Sequence, residues 1–182
     1  QAWSAAKKDG LVLTLVGLGD VGGTALLALK LLGRELAKVQ IFDPNRAQCQ
    51  RYEMELNQVL SADGRALPEV VICEEQDLFR CDLFAFMSFR EGLSVALMEA
   101  MSSAMPIVCT KIRGNTDLIE DGVSGLFCEN NPEALSLALL RLYAEPEYRK
   151  HLGKAAQARA ELFDEETVHN QMKKIYFGEG ER

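Results

Sequence analysis

The segment that most constrains the fold is an apolar run followed at once by a glycine-rich turn. Residues 11–16 read LVLTLV, and Gly17, Gly19 and Gly22 follow them in the spacing G-x-G-x-x-G. Apolar residues at helical spacing then occupy residues 20–32. A buried strand, a tight glycine turn and a helix, in this order, are typical of the first unit of a parallel α/β sheet. We therefore expect the glycines at the carboxyl edge of such a sheet.

Strands and helices continue to alternate along the chain. Further strands are predicted at 39–42, 69–73, 82–87, 106–109 and 125–128. Further helices are predicted at 46–60, 93–101, 115–120, 132–143, 146–162 and 165–176. This alternation favours right-handed crossovers, with helices on both faces of one sheet. The prediction is an α/β fold: a doubly wound, parallel, six-strand sheet of the Rossmann-like order 3-2-1-4-5-6, with extra C-terminal helices.

Composition narrows the classes of function. The 182 residues are 48% apolar and 26% charged, which suits one ordered domain. The net charge is −7 and the basic residues are scattered, so binding to nucleic acid or to an anionic membrane is not expected. Neither a signal-peptide pattern nor a long apolar run is found, which predicts a cytoplasmic protein. Residues 1–10 show no clear pattern, and we interpret them as a trimmed start or an added remnant.

Cysteine and histidine usage points away from disulfides and metals. The five cysteines are an odd number with no C-x-x-C pair, which predicts reduced, small core residues. The two histidines, His151 and His169, lie far from one another and from any cysteine cluster. No metal site is expected, and both histidines are predicted to lie on the surface of helices.

The glycine turn predicts a loop that binds the phosphates of a dinucleotide. It has a strand before it, a helix after it, and Asp43 at the end of the second strand. Gly17 would permit the turn, Gly19 would let the backbone approach a pyrophosphate, and Gly22 would let helix and strand pack closely. Asp43 would bind the ribose hydroxyls and favour NAD over NADP. The alternative is a turn without a ligand, in which Asp43 only caps the next helix.

A family resemblance extends this hypothesis. Residues 16–24 (VGLGDVGGT), 41–43 (IFD) and 51–58 (RYEMELNQ) resemble the NAD-binding half of the lactate and malate dehydrogenase family. The resemblance covers about residues 11–86, and it implies NAD contacts by Gly17, Gly19, Asp20, Val21, Gly22 and Asp43. It does not imply the dehydrogenase reaction, because that family's proton-relay histidine and substrate-binding arginines lie in later segments that have no counterpart here.

A second candidate site is a pair of glutamates eight residues apart. Glu91 follows the fourth predicted strand and Glu99 lies on the next helix, so the two can bracket different parts of one ligand. Gly114 and Asn115 open a short helix and would offer backbone N–H groups to a diphosphate. The alternative is that Glu99 is a solvated helix residue, and that Glu91 is an acid favoured by the helix dipole.

The residues around this pair carry a second resemblance. Residues 81–92 (CDLFAFMSFREG), 97–101 (LMEAM), 113–119 (RGNTDLI) and 121–127 (DGVSGLF), with PIV at 106–108, are similar to the C-terminal, donor-binding domain of retaining GT-B glycosyltransferases. The resemblance covers about residues 82–178. It implies that Glu91 contacts the donor sugar and that Glu99 binds the ribose of a sugar nucleotide such as a UDP-sugar.

Two departures from that family are expected to affect activity. The family's separate N-terminal acceptor domain has no room in 182 residues. The first half of the donor domain, with the basic residues that hold the diphosphate, is replaced by the dehydrogenase-like segment. A smaller departure is Ala104-Met105, where the family pattern has glycine and a small apolar residue.

Taken together, the sequence predicts one Rossmann-like domain built of two halves, residues 11–86 and 87–178, joined as an engineered or recombined chimera. The leading hypothesis is a module that binds NAD or ADP-ribose through the glycine turn and Asp43, without efficient turnover. One alternative is the donor domain of a sugar-nucleotide-dependent glycosyltransferase that uses Glu99 and the candidate catalytic residue Glu91. Another is a scaffold that binds nothing. If the chain is an enzyme, it is a glycosyltransferase or a fragment of an NAD-dependent oxidoreductase, and either class would need a partner domain. The oligomeric state is left open.

Overall fold

The computed structural model describes residues 10–33 and 35–178, and it contains one sheet of six parallel strands. The interpretation of the chain's start concerns residues 1–10, of which 1–9 lie outside the described residues. The strands are β1 Leu11–Val16, β2 Leu36–Phe42, β3 Glu69–Ile72, β4 Leu83–Phe86, β5 Ile107–Thr110 and β6 Leu126–Cys128. Their order is β3-β2-β1-β4-β5-β6, which confirms the predicted topology.

Helices cover both faces of the sheet. They are α1 Asp20–Leu32, α2 Arg46–Asn57, α3 Val95–Ser102, α4 Asn115–Leu118, α5 Pro132–Ala144, α6 Pro146–Ala160 and α7 Glu165–Phe177. Short 3-10 turns lie at Glu75–Asp77 and Glu161–Phe163. One hydrophobic core packs α1, α2 and α5 against the sheet, and a second packs α3, α4 and α6 against the opposite face. The doubly wound arrangement is therefore confirmed.

Strand alternation explains why there are two cores. In β1, Leu13 and Leu15 belong to the core that contains α1, whereas Val16 points into the other. In β4, Leu83 packs on the α1 side and Phe84 on the α3 side. Successive side chains of a strand point to opposite faces, so a strand covered on both sides is mostly apolar, and a buried polar side chain such as Thr14 needs a partner, here Gln40. This is the physical reason for the continuous apolar runs in the sequence.

Two boundaries differ from the prediction by three residues: β2 begins at Leu36 rather than at residue 39, and α2 ends early. The helix was predicted to reach residue 60, but it ends at Asn57. The Asn57 side chain donates to the Val70 carbonyl at 2.7 Å and accepts from the Val70 N–H at 3.0 Å. These bonds join the end of α2 to β3, and the chain then leaves the helix to reach that strand.

Several smaller expectations are also resolved. All five cysteines are free and buried, and His151 and His169 are exposed on α6 and α7. Asn45 rather than Asp43 caps α2, because its side chain accepts from the Gln48 N–H at 3.3 Å. Within the described ranges, no helix is both long enough and apolar enough to cross a membrane.

Candidate functional site

The glycine turn lies at the carboxyl end of β1, and two of its glycines are required by close packing. Gly17 has a φ of +88°, and a Cβ there would lie 2.7 Å from the Met87 carbonyl oxygen. A Cβ on Gly22 would lie 1.8 Å from the Gly17 carbonyl oxygen. Gly19 is different, because no described atom lies within 4 Å of the position its Cβ would take. The turn is therefore tightly packed at both ends and open in the middle.

Asp43 is engaged by the chain itself. One carboxylate oxygen accepts from the Leu18 N–H at 2.7 Å, and the other accepts from the Asn45 N–H at 2.8 Å. The side chain thus ties the glycine turn to the end of β2, a structural role that the sequence did not predict. Asp20 is exposed in the first turn of α1. Val21 is also in α1, and its side chain lies outside what the structure describes.

Glu91 lies in the loop that follows β4, and its carboxylate is held by a neighbouring hydroxyl. Ser88 Oγ donates to Glu91 Oε1 at 2.7 Å, and both residues are half-buried. No other bond to the Glu91 carboxylate comes from the described part of the chain. Its second oxygen therefore remains available to donors on a ligand.

The loops after β4 and β5 lie against each other. Gly114 has a φ of +49°, and a Cβ there would lie 1.9 Å from the Gly92 carbonyl oxygen and 3.0 Å from that of Glu91. The side chain of the fully buried Asn115 donates to the Thr110 carbonyl at 2.9 Å. The structure thus brings Glu91, Gly114 and Asn115 together at one edge of the sheet.

Glu99 is exposed on α3 and lines a groove beside that helix. It is the fifth residue of α3, about 6 Å along the helix axis from Val95 and exposed. Glu99 thus lies about one turn into the helix, because α3 begins at Val95 rather than at the predicted residue 93. Glu99 lines a groove between α3 and the α6–α7 turn, and this groove also contains the acids Glu161, Asp164 and Glu165. Glu91 is not among the residues that line this groove.

Three basic residues at this edge were missed by the site prediction. Arg90 lies beside Glu91, and Lys111 and Arg113 lie between β5 and Gly114; all three are exposed. Their side chains form no hydrogen bond or ion pair with residues 10–33 or 35–178. Elsewhere, basic residues such as Arg46 and Arg159 face acidic partners. The available signal was three basic residues beside two loop glycines in a chain of net charge −7.

No metal centre accompanies these residues. Among the side chains that the structure describes, no three or more histidines, cysteines, aspartates and glutamates lie close enough to hold a metal ion. The side chains at this edge offer carboxylate, hydroxyl, guanidinium and ammonium groups. Such groups suit a ligand that combines phosphates with hydroxyls.

The fold and this edge define a class: a Rossmann-like unit with a polar site at the carboxyl ends of its central strands. A family model described as glycosyl transferases group 1 matches residues 5–159. The chain therefore belongs to the group 1 glycosyl transferase family.

Curated relatives resemble about half of the chain. An uncharacterized glycosyltransferase of Methanocaldococcus jannaschii is 30% identical over 98 residues, which are 53% of this chain and 28% of that protein. The amylovoran biosynthesis glycosyltransferase AmsK of Erwinia amylovora is 36% identical over 105 residues, which are 56% of this chain and 26% of that protein. The similarity thus spans only about a quarter of these relatives' length.

Solved structures show the same fold at low identity. The Anabaena protein HepE, in complex with UDP, superposes with a TM-score of 0.72 at 18% identity, over 92% of this chain and 48% of that chain. The C-terminal domain of a glycosyl transferase group 1 family protein from Francisella tularensis superposes with a TM-score of 0.62 at 15% identity, over 91% of both chains. The fold is thus that of glycosyltransferase structures.

These findings correct the interpretation of the first half. The family match begins at residue 5 and runs across the junction that a chimera would place near residue 86. The comparisons give no support to a dehydrogenase-derived half, to a chimera or to NAD as ligand. The physical reason for the error is that a strand, a glycine turn and a helix are common to Rossmann-like units of different function.

Proposed function

We propose that this chain is the donor-binding domain of a glycosyltransferase, and that it binds a UDP-sugar at the carboxyl edge of β4 and β5. Residues 11–86 and 87–178 act in it as one domain. The observation that carries the proposal is the contact of Gly114 with the Gly92 carbonyl, because it joins the loop of Glu91 to the loop of Lys111 and Arg113.

Charge supports placing the diphosphate on these two loops. Arg90, Lys111 and Arg113 have no acidic partner in the described chain, so they are free to neutralise phosphate oxygens. The groove beside Glu99 is acidic and would repel a diphosphate. The phosphates therefore fit best near the basic residues, and the neutral parts of the ligand elsewhere.

The two glutamates then take separate parts of the ligand. Glu91, oriented by Ser88, accepts hydrogen bonds from hydroxyls of the donor sugar. Glu99, exposed on α3, accepts from the ribose hydroxyls, which carry no charge and tolerate the acidic groove. This division agrees with the groove beside α3, whose lining includes Glu99 and not Glu91. The open space beside Gly19 allows the ligand to approach the main chain closely. The N–H groups of Gly114 and Asn115 can donate to the diphosphate.

The names of related proteins support the same ligand class. HepE has been solved with UDP and with UDP-glucose, and relatives such as AmsK are glycosyltransferases. In sugar transfer, the bond between the anomeric carbon and the diphosphate breaks, an acceptor hydroxyl oxygen bonds to that carbon, and UDP leaves with the proton of that hydroxyl. The part of this chain in that reaction is to hold the donor and to stabilise the charge on the leaving diphosphate.

The test is isothermal calorimetry of the 182-residue chain with UDP, UDP-glucose and NAD. We expect binding of UDP and UDP-glucose but not NAD. Lys111→Ala and Arg113→Ala should each weaken both uridine ligands roughly tenfold, since each removes a charge-assisted hydrogen bond. Lys150→Ala is the matched control, because Lys150 is exposed on the surface of α6 and pairs with Glu147, so this variant should bind like wild type.

A second comparison separates the carboxylates. Glu99→Gln should weaken UDP, whereas Asp43→Asn should not, because Asp43 binds the chain's own N–H groups. Glu147→Gln controls for the loss of one exposed negative charge. Binding of NAD that is lost in Asp43→Asn, together with no binding of either uridine ligand, would overturn the proposal in favour of a dinucleotide site.

A further inference from the structure

A chain of hydrogen bonds links the ends of β4 and β5 behind Glu91. Thr110, the last residue of β5, is only 1% exposed. Its hydroxyl donates to the Ser88 carbonyl at 2.6 Å and accepts from the Ser88 N–H at 3.3 Å. The Asn115 amide lies 3.4 Å from the same hydroxyl as a second donor. A hydroxyl has one donor and two acceptor sites, so that of Thr110 is fully used.

The bonds fix the backbone of Ser88 from both sides. Ser88 stands two positions after β4, where the strand ladder no longer holds it. Its own hydroxyl is 2.7 Å from Glu91 Oε1 and 3.4 Å from the Arg90 carbonyl, so its single proton bonds the carboxylate. The orientation of Glu91 is thus set by Ser88, and the position of Ser88 is set by Thr110.

We propose that Ser88 and Thr110 are positioning residues for Glu91, which hold its carboxylate in the orientation that receives the donor sugar before the ligand binds. This proposal rests on the proposed function. Its physical basis is preorganisation: an acceptor fixed in advance loses less conformational entropy when the sugar hydroxyls bind. Neither residue needs to touch the ligand to have this effect.

The first experiment needs no ligand. It tests the two hydrogen bonds between the Thr110 hydroxyl and the Ser88 backbone, which we call the Ser88–Thr110 clamp. Thr110→Val keeps the shape of the side chain but removes the hydroxyl, whereas Thr110→Ser keeps the hydroxyl. Amide hydrogen exchange at Ser88 should accelerate about fivefold in Thr110→Val relative to Thr110→Ser. The Ile107 amide, inside β5, is the internal reference and should be equal in the two variants if both fold alike. Equal exchange at Ser88 in the two variants would overturn the clamp.

The second experiment compares UDP with UDP-glucose, since only the latter carries the sugar. Ser88→Ala should weaken UDP-glucose roughly tenfold and leave UDP unchanged, the same selective loss as Glu91→Ala. Ser88→Thr, which keeps a hydroxyl, should restore most of the affinity. The double variant Ser88→Ala with Glu91→Ala should lose no more than Glu91→Ala alone, because the serine acts through the glutamate.

The outcomes separate the two proposals. A uniform loss of UDP and UDP-glucose affinity in Ser88→Ala, or a loss that adds to that of Glu91→Ala, would overturn the positioning role while leaving the proposed function standing. If wild type binds neither UDP nor UDP-glucose, the proposed function fails and the positioning role fails with it. The exchange experiment would still decide whether the Ser88–Thr110 clamp exists.

Discussion

Individual glycines at the carboxyl edge differ in what they contribute. Gly22 and Gly114 stand where a Cβ would overlap a carbonyl oxygen, and Gly114 also needs a positive φ. Gly19 has neither constraint, since its φ is −59° and the space beside it is open. A sequence motif treats such glycines alike, whereas their physical requirements are distinct.

Substitution at Gly22 and at Gly19 should separate these requirements. Gly22→Ala should destabilise the fold by about 1–3 kcal/mol, because its Cβ meets the Gly17 carbonyl oxygen. Gly19→Ala, the matched control, should change stability by less than about 1 kcal/mol. Urea unfolding followed by circular dichroism measures both. Equal effects of the two substitutions would show that the turn is not packed as described.

At the scale of elements, α6 braces the helix that carries Glu99. A Cβ on Gly153 of α6 would lie 2.3 Å from the Ala104 carbonyl oxygen, just after α3. Gln157 donates to the Ser102 carbonyl at 3.0 Å, and Arg159 donates to the Leu118 carbonyl at the end of α4. The position of α3 thus depends on a helix more than fifty residues later in the chain.

Gly153→Ala tests this brace. Alanine is favoured over glycine within a helix by about 1 kcal/mol, so α6 alone would gain stability. We nevertheless expect a net loss of about 1–2 kcal/mol, because the methyl group pushes α6 away from the turn after α3. Lys154→Ala, at the exposed neighbouring position, should stay within about 0.5 kcal/mol of wild type. An increase in the thermal midpoint of Gly153→Ala would contradict the close contact.

At the scale of the whole molecule, all five cysteine thiols are buried in the two hydrophobic cores. Burial raises the pKa of Cys73 and Cys128 to about 11 and that of Cys81 to about 12. It also raises the pKa of Cys49 and Cys109. Burial acts in the opposite direction on Lys30, whose pKa is lowered and whose Nζ donates to the Pro68 carbonyl at 2.7 Å. The thiols are therefore neutral and unreactive in the folded protein.

These shifts predict a loss of stability at alkaline pH. Above pH 9.0, the ordinary thiol pKa, the unfolded chain releases thiol protons that the folded chain keeps, so the free energy of unfolding falls. The stabilisation by the thiols is complete below pH 9 and is lost as pH rises through about 11–12. The lowered pKa of Lys30 acts against this trend, but it is the effect of one lysine against that of five buried thiols.

The measurement is the urea midpoint between pH 8 and pH 11, which should fall steadily above pH 9. Cys73→Ala should flatten this decline, because it removes one of the buried thiols. A midpoint that is constant or rises up to pH 11 would show that the cysteines are not buried as described. Ellman's reagent should accordingly find no reactive thiol in the native protein at pH 8.

Much of the fold was predictable because it depends on local sequence. The apolar runs of β1 and β4 indicate strands that are buried on both faces. The glycine turn after β1 indicates the start of a parallel α/β unit. Strand order followed from general rules of chain connection. The order of the motifs around Glu91 and Glu99 indicated the glycosyltransferase family, whereas the glycine turn, shared by many Rossmann-like units, suggested NAD, a ligand that the comparisons do not support.

Only the tertiary structure decided which polar side chains bond to the protein itself and which remain available to a ligand. Asp43 binds the Leu18 N–H across 25 positions of sequence, and Thr110 binds Ser88 across 22. Glu91 is held by Ser88 in the loop after β4, whereas Glu99, only eight residues later, lines a groove beside α3 with acids of the α6–α7 turn. Sequence alone determined the elements and their order, since apolar periodicity and turn residues act over a few positions. The site depended on contacts between neighbouring strands' loops, which no local pattern records.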